Sequence, residues 1–163
     1  MSAATELAVV AALLGSALVA GVFFAFSSFV MGALARLPAA QGIAAMQSIN
    51  VVVLNRSFLG LFVGTAIVAL VVAGLAAFGW GSASAPWYAA GALTYLVGTF
   101  AVTGMGNVPL NDRLAGTPAE DAEAVPLWEC YLERWTRLNT LRTIAAAAAA
   151  LMFLIGLLRD GSV

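Results

Sequence analysis

Charged side chains are scarce in this chain of 163 residues. Asp, Glu, Lys and Arg together make up 9% of it, hydrophobic residues make up 63%, and the mean hydropathy is +0.99. An ordinary soluble domain is about 25% charged. Water could not solvate such a surface, so we predict that the lipid bilayer covers it. The formal net charge of −1 offers no field for nucleic acid, and no nucleic-acid partner is expected.

Histidine is absent, and Cys130 is the only cysteine. An intrachain disulfide is therefore impossible, and so is an iron, zinc or copper site built on histidine. A haem would need Met, Cys or Tyr as its axial ligand. We predict no metal and no cofactor, which removes most classes of redox enzyme.

Long uncharged runs predict four membrane-spanning helices in one domain covering residues 1–163. The expected spans are about 7–35, 57–79, 86–105 and 143–158. No basic segment precedes the first run, and it is too long for the apolar part of a signal peptide. The fourth run is short, and it suffices only if its helix tilts or if Asn139 and Arg142 lie inside the bundle.

Prolines and glycines separate the predicted spans. Pro38 suits the first turn of an amphipathic extension over 39–55 that leads into the second span. The Gly/Ser/Pro-rich segment 79–86 breaks the chain between spans two and three. The aromatic residues expected in a membrane-interface belt at this break are Trp80, Trp87 and Tyr88.

The predicted fold class is an all-α, four-helix transmembrane bundle, with helices two and four extended on the cytoplasmic side. Four spans put both termini on one side of the membrane. The opposite side carries most of the arginines, namely Arg36, Arg56, Arg113, Arg134, Arg137 and Arg142. The positive-inside rule then predicts a plasma (inner) membrane protein with both termini outside and connections 1–2 and 3–4 cytoplasmic.

Small residues are dense in the spans, which favours close helix packing. Gly60 and Gly64 also match a GxxxG dimer motif. We expect these two glycines to pack inside the bundle. The sequence does not decide whether the protein also forms a homo-oligomer or joins a larger membrane complex.

One face of the fourth helix carries aromatic and polar side chains. Trp128, Tyr131, Trp135, Asn139 and Arg142 follow each other at offsets of 0, 3, 7, 11 and 14, here called the Trp–Arg stripe. One interpretation is a packing seam with an interfacial aromatic belt and a snorkelling arginine. The other is a pocket with aromatic walls, an amide and a guanidinium, which suits a planar ligand.

Asparagines elsewhere are predicted to converge on the same end of the bundle. Asn50 and Asn55 precede the second span, and Asn107 follows the third. They form either an interhelical hydrogen-bond network or the wall of a cavity open to the cytoplasmic leaflet. Asp112 is the carboxylate nearest to them, and it is either a general base or an ion-pair partner of Arg113 or Arg142.

Several of these segments resemble one known family. Gly21–Met31 (GVFFAFSSFVM), with Leu34 and Leu37–Pro38, resembles the first-helix signature of the anthrone oxygenase-like family. The segments Ala45–Asn50 and Asn107–Asn111 and the Trp–Arg stripe resemble the same family. These are small four-helix membrane proteins, and most are classified as a domain of unknown function.

The resemblance implies an oxidoreductase, since a few fungal relatives are associated with oxidation of anthrones to anthraquinones. We expect a cofactor-independent oxygenase-like enzyme that acts on a flat lipophilic molecule of the anthrone or quinol type. A non-catalytic binding protein or an accessory subunit of a membrane complex is the alternative. A transporter is disfavoured, because the spans contain no carboxylate.

The residues expected to bind substrate are Asn50, Asn55, Asn107, Trp128, Trp135 and Phe24. Those expected to act catalytically are Arg142, Asn139, Asp112 and Tyr131. Arg142, with Asn139 or Asn107, would stabilise an enolate and then a hydroperoxide, and Asp112 or Tyr131 would be the base.

Overall fold

The computed structural model describes residues 2–79 and 82–161, and Trp80 lies outside them. The described residues form five helices: α1 (Ala3–Leu34), α2 (Ala39–Val52), α3 (Arg56–Phe78), α4 (Ala85–Ala115) and α5 (Ala124–Asp160). All except α2 are long and apolar enough to cross a membrane. The predicted fold class, an all-α transmembrane four-helix bundle, is confirmed.

Polar caps and prolines set where the helices begin. The Ser2 hydroxyl accepts from the Thr5 amide at the start of α1, and Asn55 Oδ1 accepts from the Phe58 amide at the start of α3. Each cap satisfies an amide that has no partner within its helix. Pro86 occupies the first turn of α4, where its missing amide costs nothing.

The four long helices form a ring in which α1 and α4 each pack against both α3 and α5. Neighbouring helices are antiparallel, because Thr5 (start of α1), Ala76 (end of α3), Tyr88 (start of α4) and Asp160 (end of α5) surround one pocket. Tyr88 donates a hydrogen bond of 2.8 Å to Asp160 Oδ2 there. We call this the terminal end of the bundle, since α1 begins and α5 ends there.

Glycines allow close approach at some positions only. A Cβ added to Gly156 would overlap a ring carbon of Tyr88, and one added to Gly15 would overlap Thr65 Oγ1. By contrast, a Cβ on Gly60 or Gly64 would meet no atom within 4 Å. The expectation that Gly60 and Gly64 pack inside the bundle is therefore wrong.

A second apolar cluster forms the opposite end, here called the α2 end. It joins the last turns of α1, all of α2, the end of α4 and the start of α5, through residues such as Met46, Leu114 and Trp128. Gln47 fastens α2 to α4, because its Nε2 donates to the carbonyls of Leu114 and Thr117, at 2.9 Å each. The chain turns at 53–55, so α2 is a separate helix rather than a continuation of α3.

Three stretches within the long helices have widened turns with i→i+5 hydrogen bonds. They are Phe26–Val30 in α1 and Thr94–Ala101 and Thr103–Asn107 in α4. In the first, the Met31 amide donates to the Phe26 carbonyl. Such turns are rare and occur frequently at functional sites. The first and third lie toward the α2 end, and the second lies near the middle of α4.

Replacing Gly156 by alanine should destabilise the protein by about 1–3 kcal/mol, because the new methyl group overlaps the Tyr88 ring. Unfolding in mixed micelles with rising SDS, followed by circular dichroism, measures this loss. Gly21→Ala is the matched control, since nothing lies within 4 Å of its Cβ position. Its stability should change by no more than about 0.5 kcal/mol. Equal losses in both variants would contradict the packing described.

Candidate functional site

A cavity of about 300 Å³ lies between the helices near the α2 end. Most of its wall is apolar and aromatic. The polar side chains on it are Asn50, Thr103, Asn111, Trp135 and Arg142. The aromatic ones, besides Trp135, are Phe23, Phe26, Phe58, Phe62 and Phe100. A concave apolar pocket with a few convergent polar groups is the usual form of a small-molecule site.

Among the described residues, Arg142 is the only charged one on the cavity wall, and it is 4% exposed. Its Nη1 donates to Thr103 Oγ1 at 3.0 Å and its Nη2 donates to Asn139 Oδ1 at 2.7 Å. Nε is buried and has no acceptor within residues 2–79 and 82–161. No carboxylate in that part of the chain pairs with the guanidinium either. The positive charge is therefore held by neutral groups alone.

Aromatic rings supply the remaining contacts of this charge. The guanidinium carbon lies 4.1 Å from the centroid of the Phe23 ring and 5.3 Å from that of Trp135. Both distances are within the range of cation–π attraction, which is worth about 2 kcal/mol when the pair is desolvated. These rings partly offset the cost of burying the charge, and they leave its net charge uncancelled.

Asn139 holds Arg142 from behind the cavity. Its Nδ2 donates to the Phe23 carbonyl and to Ser27 Oγ of α1, at 2.7 Å each, while its Oδ1 accepts from Arg142. The Phe23 carbonyl lies just before the widened stretch Phe26–Val30 of α1. Asn139 is fully buried and does not line the cavity. It positions the guanidinium rather than touching a ligand.

A second polar group on the cavity wall is Asn111, near the end of α4. Its Oδ1 accepts from the Tyr131 hydroxyl at 2.9 Å and from Trp135 Nε1 at 2.8 Å. Asn50 Nδ2 in turn donates to Tyr131 Oη at 3.5 Å. Because both donors hold Oδ1, the amide nitrogen of Asn111 is turned away from them. It keeps two N–H groups with no acceptor among the described residues.

The widened turns of α4 bring these groups into line. Thr99, Thr103, Asn107 and Asn111 are spaced four residues apart. In a regular α-helix, successive members of such a series drift about 40° around the axis. Here they stay toward α5, where Thr99 Oγ1 donates to the Arg142 carbonyl and Asn107 Nδ2 donates to the Trp135 carbonyl. The wider turns at Thr94–Ala101 and Thr103–Asn107 counter the drift.

The structure brings three of the predicted site residues to the cavity wall, namely Arg142, Trp135 and Asn50. Tyr131 lies directly behind, hydrogen-bonded to Asn111. Trp128 stacks on Tyr131 with ring centroids 5.6 Å apart, deeper in the α2-end cluster. The Trp–Arg stripe is thus a packing seam at its start and a cavity wall at its end.

The other predicted residues are not on the cavity wall. Asn107 is buried against the α5 backbone, and Asn55 caps α3. Phe24 is 60% exposed on the outer face of α1, next to the wall residue Phe23. Asp112 is exposed, and no ion pair joins it to Arg113 or Arg142 in the described part of the chain.

Sequence reasoning missed Asn111 and Thr103 as site residues. The four-residue repeat Thr99, Thr103, Asn107, Asn111 was the signal available. Its 40° drift argues against a shared face unless the turns widen, and periodicity does not reveal where they do.

Comparison with known families adds one finding. Residues 52–152 match the model of a family described as anthrone oxygenase. The chain belongs to the anthrone oxygenase family. No curated protein and no solved structure matches it.

The family match covers most of the polar site and leaves part of its wall outside. Asn111, Trp135 and Arg142 fall within the matched anthrone oxygenase segment. Phe23 and Asn50 precede that segment. The first-helix signature Gly21–Met31 precedes it too, so the family match does not cover that resemblance.

Asn139→Ala should lower the free energy of unfolding by about 1–3 kcal/mol. The change removes the acceptor of Arg142 Nη2 and both hydrogen bonds from Asn139 to α1. Thr140→Ala is the control on the adjacent residue, since it removes an exposed hydrogen bond to the same Ser27 hydroxyl. That change should cost less than about 1 kcal/mol. Equal losses on SDS titration would mean that Asn139 does not have the structural role assigned to it.

Proposed function

We propose that this protein oxidises a flat lipophilic ketone of the anthrone type, without a cofactor. The observation that carries the proposal is the buried Arg142 charge on an otherwise mainly apolar cavity wall. A buried charge without a counterion costs several kcal/mol. A ligand that becomes an anion inside the cavity would supply the missing countercharge.

The size and lining of the cavity support a planar ligand. At about 300 Å³ it stands at the lower end of small-molecule sites, which suits a compact, rigid ring system. Phe62 and Phe100 stack with centroids 5.3 Å apart, and Phe58 and Phe62 stack at 5.8 Å. Offset-stacked rings of this kind favour further aromatic surface against them.

The chemistry proposed for the site begins with loss of a proton from the CH₂ group opposite the ketone, which gives an enolate. Arg142 and the free amide N–H groups of Asn111 stabilise the charge on its oxygen. The electron-rich enolate then passes one electron to O₂, and the two radicals combine to a peroxide anion, which takes a proton from solvent to give a hydroperoxide. Loss of water forms the second carbonyl, so anthrone plus O₂ gives anthraquinone plus H₂O.

The geometry of the cavity changes which group is proposed as the general base. Asp112 is exposed and off the cavity wall, and the Tyr131 hydroxyl donates its proton to Asn111. No carboxylate lies on the cavity wall as described. We therefore propose that solvent takes the proton and that the positive charge of Arg142 favours the enolate.

A non-catalytic binding protein is the second candidate, and the missing base on the cavity wall favours it. Asn50, Asn107, Trp135, Asn139 and Arg142 are among the residues expected to bind substrate or act catalytically, and an enzyme would need them on one cavity wall. Asn50, Trp135 and Arg142 do line it, whereas Asn107 and Asn139 are paired behind it. Turnover separates the two candidates, since both predict binding.

Purified, metal-free protein in lipid nanodiscs should oxidise anthrone faster than the spontaneous reaction, measured as O₂ uptake and anthraquinone formation. Arg142→Gln should lower kcat by about 10²-fold or more, because the enolate loses its main stabilising charge. Arg134→Gln, an exposed arginine on the same helix, should leave kcat unchanged.

Two results would count against this proposal. If wild-type protein does not oxidise anthrone faster than the spontaneous reaction, the protein is not this enzyme, and the binding-protein candidate remains. An Arg142→Gln variant as active as the Arg134→Gln control would remove Arg142 from the mechanism.

We also propose that the α2 end faces the cytoplasm of a plasma (inner) membrane protein, with both termini outside. The arginine distribution supports this orientation. A homo-oligomer or a larger membrane complex stays a proposal as well.

Cys130 reports on this orientation, since it is the only cysteine and is exposed near the start of α5. In intact cells a membrane-impermeant maleimide should leave it unlabelled, whereas a permeant maleimide should label it. Permeabilised cells are the control, in which both reagents should react. If the impermeant reagent labels Cys130 in intact cells, the α2 end faces outward and the proposed orientation is wrong.

A further inference from the structure

The seam between α3 and α4 is closed toward the terminal end and open toward the α2 end. Helix α3 packs along residues 85–101 of α4. Residues 103–115 of α4 turn instead to α5 and α2. At the closed part, the Tyr95 hydroxyl donates to the Phe62 carbonyl at 3.1 Å. The rings of Phe62 and Phe100 also stack across this seam. Beyond them the two helices separate, because α3 does not pack along residues 103–115 of α4.

The cavity lies behind this gap. Leu59 and Val63 of α3 and Phe100 and Val108 of α4 line it, and each is between 37% and 40% exposed. A side chain that touches both the cavity and the outer surface stands at an opening. Gly104 lies between the two α4 residues, also lines the cavity, and is exposed.

Gly104 leaves this opening unobstructed. A Cβ at that position would meet no atom within 4 Å. The residue belongs to the widened turn Thr103–Asn107, whose first residue accepts a hydrogen bond from Arg142. The same distortion of α4 therefore brings Thr103 to the guanidinium and sets a residue without a side chain at the opening.

The rim of the opening is apolar and belongs to two helices long enough to cross the membrane. Helix α3 has 23 residues, about 35 Å, against a hydrocarbon thickness of about 30 Å. Val63 lies about 6 Å deeper than Leu59, whereas Leu59, in the first turn, lies near one boundary of the hydrocarbon layer. Flat molecules with an apolar body and a polar edge concentrate at that depth.

We propose that the ligand of this cavity is dissolved in the bilayer and enters sideways between α3 and α4, over Gly104. This inference rests on the proposed function for the kind of ligand, and it adds the phase from which the ligand comes. A flat lipophilic ketone would pass the apolar rim ring first and bring its oxygen to Arg142 and Asn111.

The test measures entry separately from chemistry. Anthraquinone in the lipid of nanodiscs serves as the probe, because it has the shape of the proposed ligand and cannot be oxidised by the proposed reaction. Its association rate follows from stopped-flow quenching of tryptophan fluorescence, since Trp135 lines the cavity.

Gly104→Leu should slow association about tenfold or more, because its side chain fills the opening. Gly74→Leu is the matched control, since its Cβ position is equally free and lies on α3 away from the cavity. The control should keep the wild-type rate. Phe100→Ala should raise the rate, because it removes a ring from the rim.

Wild-type association rates in both Gly104→Leu and Phe100→Ala would overturn the proposal, as would equal slowing in Gly104→Leu and Gly74→Leu. A ligand entering from water would instead be slowed by Leu54→Trp, since Leu54 lines the cavity beside the 53–55 turn. Slowing by that variant alone also overturns the lateral route. If the protein binds anthraquinone but does not oxidise anthrone, the proposed enzymatic function is wrong. The association rates of the variants still test the lateral entry route in that case.

Discussion

The guanidinium of Arg142 is the constraint around which the α2 end is arranged. Removing an ion from water costs several kcal/mol even after relaxation, and no carboxylate offsets that cost within the described residues. Instead α5 supplies Asn139, α4 supplies Thr103, and α1 supplies the Phe23 ring. Three helices are tied to one charge, and that charge remains uncancelled beside a cavity.

The two ends of the bundle use different packing. At the terminal end, small residues such as Gly156 let helices approach, and Tyr88 and Asp160 form a hydrogen bond between α4 and α5. At the α2 end, widened turns distort α1 and α4, and the Thr103 side chain in one of them reaches inward to Arg142. Regular packing holds the bundle together, and departures from regular helix create the site.

The fold was predictable because hydrophobic length is a local property of the chain. Uncharged runs and prolines place the spans, and the spacing of the Trp–Arg stripe places Trp135, Asn139 and Arg142 on one face. The separate helix α2 was not predictable, since the turn at 53–55 contains no proline or glycine. Only the contact of Gln47 with the end of α4 reveals its path.

The charged residue of the site, Arg142, was predictable from the sequence, whereas the side chains that line the cavity with it were predictable only in part. Arg142 stands out because an arginine next to an apolar run must find partners. Asn139 and Asn107 also stand out, but sequence does not say whether an amide faces a ligand or a backbone carbonyl. Asn111 depends on widened turns whose positions follow from three-dimensional packing rather than from periodicity.

Recognition of an oxygen atom on a flat apolar molecule is the role proposed for Arg142 in the cavity. Affinities for anthraquinone and anthracene test it most directly, because the two molecules share a tricyclic shape and only one carries oxygen. Wild-type protein should bind anthraquinone more tightly than anthracene, and Arg142→Gln should lose this preference. Equal affinity of the wild-type protein for both molecules would contradict it.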